Sequence, residues 1–139
     1  RVPLLLSSSG RVYLAFSPPT QRESLLDILS RSNKEEDALA RSRPELMKLL
    51  NDVRMQGYAS AVRPRRVSDE ISMAVPILID DRVLAAVSIR FSGTAVPLKL
   101  GVERFLPKLR ETANKIRQSF VEQQREAPPQ LRAVGNSRG

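Results

Sequence analysis

The stretch from Ile71 to Phe91 constrains the fold most. Two apolar runs, Ile71–Ile79 and Arg82–Phe91, flank Asp80-Asp81. β-rich runs around a two-residue acidic turn predict an antiparallel hairpin. Ser72 and Ser88 interrupt these runs. A buried hydroxyl there needs a hydrogen-bond partner, either backbone or a bound small molecule. Period-two geometry puts Ser88 and Arg90 on one face of their strand.

The remaining elements follow from caps and spacing. Ser7-Ser8-Ser9 can cap a short helix carrying Val12, Tyr13 and Phe16, which Pro18-Pro19 ends. Thr20 with Glu23 reads as a capping box for a second helix whose stripe is Leu25, Leu26, Ile28 and Leu29. Residues 33–40 read as a loop with a helical turn. Ser42 and Glu45 repeat the capping box before Leu46, Leu49, Leu50 and Val53. Gly57 is placed to stop that helix in a left-handed conformation. Tyr58–Val62 reads as a strand, and residues 63–69 and 93–101 as loops. A long helix is expected from Val102 to about Gln124, with Pro107 in its first turns or marking a later start. Residues 1–124 are expected to form one domain and residues 125–139 a flexible tail containing Pro128-Pro129. The order α-α-α-β-β-β-α predicts an α+β fold with an antiparallel sheet. A three-stranded sheet leaves two open edges, which favours covering by something else.

Composition narrows the chemistry. The chain has no Cys and no His, which removes disulfides, thiolate metal sites and imidazole catalysis. No acidic cluster suggests a metal cage, and no cofactor motif is present. Lys34 and Lys48 lie far in sequence from the serine turn, and no nucleophile elbow occurs, so an enzyme is not expected. No apolar run is long enough to cross a bilayer, and Val2–Leu6 is too short for a signal sequence. A cytoplasmic protein is expected. The net charge of +8 invites direct nucleic-acid binding through an Arg-rich surface as the alternative function. Against it, the cations are spread along the chain apart from Arg63, Arg65 and Arg66. Aromatic residues are only 4% and do not interleave with them, so no base-stacking platform is visible.

Three ordered segments resemble the effector-binding domain of IclR-type transcriptional regulators. They are Pro3-Leu4 through Ser7-Ser8-Ser9-Gly10-Arg11 to Leu14-Ala15; Val53-Arg54 through Gly57-Tyr58-Ala59; and Ala74-Val75-Pro76 followed by Arg82 to Ile89. The resemblance spans roughly residues 1 to 120 and implies a GAF/PAS-like sheet curved around a small-molecule pocket. It implies a chain that begins inside that domain, with an absent N-terminal winged helix-turn-helix for DNA. It also implies a homodimer or homotetramer; no membrane partner is expected, given the absence of a bilayer-length apolar run. Effector contacts would fall on Ser8 and Ser9 through backbone groups, and on Ser72, Ser88 and Arg90. An acidic contact of some relatives would fall near Ala61, where no acid exists, so a more anionic or larger effector is expected. A small carboxylate is the implied ligand class, and the serine segment hints at regulators of aromatic-acid breakdown.

Overall fold

Helix α1 (Ser8–Phe16) starts where the serines cap it: Ser7 Oγ accepts from the Gly10 N–H at 3.0 Å. The computed structural model describes residues 4–126. Helix α2 (Pro19–Ser30), a 3₁₀ segment (Glu35–Arg41) and helix α3 (Arg43–Gln56) follow. Then come strands β1 (Ala59–Arg63), β2 (Glu70–Ile79) and β3 (Arg82–Ser92), and helix α4 (Leu98–Glu126). The sheet has the order β1-β2-β3 and both pairings are antiparallel, so the α+β architecture is as expected.

The hairpin closes as its sequence predicts. Asp80 and Asp81 have φ of 52° and 63°, the paired left-handed conformation of a tight hairpin turn. Ile79 pairs with Arg82 across it. The register then shifts: Leu78 pairs with Val83, but Ile77 pairs with Ala85. Leu84 is the extra residue, a one-residue bulge.

The central strand β2 is buried on both faces, which explains why it is apolar almost throughout. Met73, Val75 and Ile77 pack with Leu106, Leu109 and Ala113 of α4. On the opposite face, Ala74 and Ala59 join Val12, Leu14, Leu26, Leu46, Leu50 and Val53. Small side chains on this second face let α1 lie close to the sheet, where it contacts all three strands.

Several local expectations change. Neither capping box forms, since no side chain caps α2 or α3. Pro19 takes the first helical position of α2, which places Thr20 inside the helix. Glu23 instead pairs with Arg43 across the α2–α3 junction. Ser42 closes the preceding 3₁₀ segment through its own N–H to Leu39 O. Ile28 is 63% exposed, so the α2 stripe reduces to Leu26 and Leu29 as its buried residues. Gly57 does adopt the left-handed stop, with φ 82°. Helix α4 starts four residues earlier than expected, behind Pro97, and continues through Pro107. Gly101 falls inside it because the Phe91 ring fills the space a Cβ would need, 2.4 Å from Phe91 Cζ. The helix runs to Glu126, the last described residue, and the rest of the expected tail lies outside the described residues.

Candidate functional site

Cross-strand register assembles the candidate site on the face that α1 covers. Ser72 of β2 lies opposite Arg90 of β3 on one side and Ala61 of β1 on the other. The next row on this face is Ala59, Ala74 and Ser88. Directly opposed side chains in such a sheet stand roughly 5 Å apart at Cβ, so a hydroxyl and a guanidinium face one small volume. Ser72 is half-buried, whereas Ser88 and Arg90 are exposed.

These groups are unpaired among the described residues. No side-chain hydrogen bond of Ser72, Ser88 or Arg90 forms among the described residues. Arg90 does not bridge to Asp69 or Glu70; Glu70 instead lies 3.8 Å from Arg65.

The serine corner contributes backbone donors. Ser8 is buried and Ser9 half-buried in the first turn of α1. The first turn of a helix leaves its amides without intrahelical acceptors. Gly10 N–H goes to Ser7 Oγ and Arg11 N–H to Ser7 O, which leaves those of Ser8 and Ser9 open among the described residues. Such amides, with the helix dipole behind them, favour an anion.

Arg11 is the residue that motif reading undervalued. Its Nε donates to Leu5 O and its Nη1 to Ser60 O, each at 2.8 Å. It therefore ties the segment before α1 to β1. Burial disfavours its charge, and no carboxylate pairs with it among the described residues. The sequence signal was its place directly after Gly10. Gly10 itself is needed for close approach, since a Cβ would sit 2.1 Å from Leu4 O.

A separate open cleft of about 420 Å³ lies between β2 and α4 and includes none of the five predicted residues. No group of metal-ligating side chains occurs among the described residues. No helix there is long and apolar enough to cross a membrane.

Comparison with known proteins fits this architecture. Among solved structures, a putative transcriptional regulator from Rhodococcus sp. RHA1 (RHA06195) superposes with a TM-score of 0.68 at 28% identity. The match covers 86% of this chain and 48% of that one, so the chain spans about half the length of that relative. An IclR homologue from Microbacterium sp. strain HM58-2 gives 0.62 at 28% identity, covering 86% and 47%. The PobR inducer-binding domain from Acinetobacter, a double mutant in complex with 3-hydroxybenzoic acid, gives 0.65 at 21% identity. That match covers 84% of this chain and 66% of that one, and it speaks to fold alone. The family model for the bacterial transcriptional regulator IclR C-terminal region matches residues 1–118. Its members are transcription regulators, not enzymes. With that match running through every element up to most of α4, the chain belongs to the IclR family and represents its C-terminal regulator domain.

Proposed function

We propose that this domain senses a small organic carboxylate and passes its occupancy to DNA binding by the regulator. The observation that supports this most is the row Ala61–Ser72–Arg90, with Ser88 in the next row. It offers hydroxyls and a guanidinium that have no side-chain partner among the described residues, since the one acid in the adjoining row, Glu70, lies beside Arg65 instead. Arginine grips a carboxylate through two parallel N–H groups, and the open amides of Ser8 and Ser9 add neutral donors. The side chains flanking these groups on the same face are alanines, at 59, 61, 74 and 86, with no bulky residue beside the row, and an aromatic acid is the ligand class favoured here. The PobR domain bound to 3-hydroxybenzoic acid is a fold relative with such a ligand.

In this reading the effector prefers one arrangement of the domain and shifts the population toward it. The shift reaches DNA through an N-terminal winged helix-turn-helix and through a homodimer or homotetramer of a cytoplasmic regulator, with residues 1–124 acting as the sensing unit. Ligand preference for one state sets the size of the response.

Calorimetric titration of the full-length regulator with benzoate, 3-hydroxybenzoate and short aliphatic acids tests the proposal. The expected result is saturable binding of at least one acid, weakened roughly tenfold or more by Arg90→Ala, as loss of a charge-assisted contact implies. Absence of binding by every acid, together with normal regulation in Ser88→Ala and Arg90→Ala, would overturn it.

A further inference from the structure

The cleft between β2 and α4 has a chemistry of its own. β1 starts at Ala59, opposite Ala74, while β2 runs on to Ile79. Residues 75–79 therefore have no strand on their β1 side among the described residues. Helix α4 crosses this gap. Arg110, Ala113, Asn114 and Arg117 line the cleft at the spacing that shares one helical face. Phe16, Pro76 and Leu78, all partly exposed, supply its apolar floor.

Both arginines are held in place by backbone. Arg110 Nη2 donates to Gln56 O and Arg117 Nε to Leu78 O, each at 3.0 Å. Each guanidinium carries five N–H donors, so most remain available. Neither has a carboxylate partner among the described residues, and the nearby Glu111 is 3.3 Å from Lys115. No acidic residue lines the cleft. Two anchored, uncompensated cations over an apolar floor create a site for an amphipathic anion. Anchoring reduces the side-chain ordering that binding would otherwise cost. The volume of about 420 Å³ falls in the usual range for small-molecule sites.

The spacing selects the kind of anion. Arg110 and Arg117 are two helical turns apart, roughly 10 Å along the axis. One points its contact to the end of α3 and the other to the end of β2. We propose that this cleft is a second ligand site, distinct from the serine–Arg90 face, for a dicarboxylate with a short apolar spacer. One carboxylate meets each guanidinium and the carbon chain covers Phe16, Pro76 and Leu78.

Calorimetric titration of the full-length chain with adipate, and with hexanoate as the one-carboxylate comparison, tests this. Adipate is expected to bind at least tenfold more tightly than hexanoate. Arg110→Gln and Arg117→Gln should each weaken adipate roughly tenfold, as loss of a charge-assisted contact implies. Asn114→Tyr, which fills the cleft and removes neither guanidinium, should abolish binding. Arg90→Ala should leave adipate affinity unchanged, which separates this site from the proposed effector site. Circular dichroism of each variant establishes that the fold persists. No adipate binding at millimolar concentration, equal affinity for hexanoate, or loss of adipate on Arg90→Ala but not on Asn114→Tyr would each overturn the proposal.

Discussion

Gly10→Ala isolates the packing that builds the serine corner. A Cβ at residue 10 would lie 2.1 Å from Leu4 O and 2.7 Å from both Leu4 C and Leu4 Cα. A relaxed carbon–oxygen approach is about 3.3 Å, so the segment before α1 must move by about 1.2 Å. All three obstructing atoms are backbone, so no rotamer change relieves the contact. The movement disturbs Leu5, which is fully buried, and Leu5 O, which accepts from Arg11 Nε. Overpacking costs about 1–3 kcal/mol. Loss of the Arg11 contact adds about 1 kcal/mol, and the better helix propensity of alanine returns about 1 kcal/mol. The net expectation is destabilisation by about 1–3 kcal/mol. With a urea slope of about 2 kcal/mol/M, the unfolding midpoint should fall by about 0.5–1.5 M at fixed protein concentration. An unchanged or raised midpoint, which propensity alone would give, refutes the close-approach argument.

Four other outcomes are expected. Asp81→Gly relieves a left-handed aspartate at φ 63° and should raise the unfolding free energy measured in urea by about 0.5–1 kcal/mol. Arg11→Met leaves Leu5 O and Ser60 O without their donor, and thermal unfolding should report a loss of about 1–2 kcal/mol. Glu23→Ala breaks only the exposed pair with Arg43. Denaturation should then change by less than about 0.5 kcal/mol, whereas a working capping box would have cost more. Deletion of Leu84 removes the bulge, and limited proteolysis should show rapid cleavage of β3, because its outward and inward faces exchange.

Most of the fold was legible because its signals are local. The two-residue Asp80-Asp81 turn, the Gly57 stop and the Ser7 cap each depend on neighbours within a few residues. Expectations failed where a distant contact decided the matter. Glu23 leaves its own helix for Arg43. Gly101, a poor helix residue by propensity, sits inside α4 because the Phe91 ring fills the space above it. That approach is fixed by the sheet, so no reading of residues 93–101 alone reveals it. Arg11 is similar: its value lies in Ser60 O, 49 residues away.

The candidate site was legible only in part, and Leu84 shows why. Alternation alone places Ser88 and Arg90 on a common face of β3. Which face that is, relative to Ser72, depends on register. A regular two-residue hairpin pairing Ile79 with Arg82 would set Ser72 opposite Ile89. Arg90 and Ser88 would then turn toward α4, and Val87 and Ile89 toward α1. The bulge adds one residue to β3 and restores the other phase, so that Ser72 meets Arg90 and Ala74 meets Ser88. The same shift sends Val87, Ile89 and Phe91 to the α4 core. A single unpaired leucine thus sets both the apolar layer and the polar row, and burial enforces the choice. Exchanging the faces would expose three large apolar side chains and bury a guanidinium, so the bulged register wins on hydrophobic grounds. The polar row is therefore a consequence of core packing on the opposite side of the sheet.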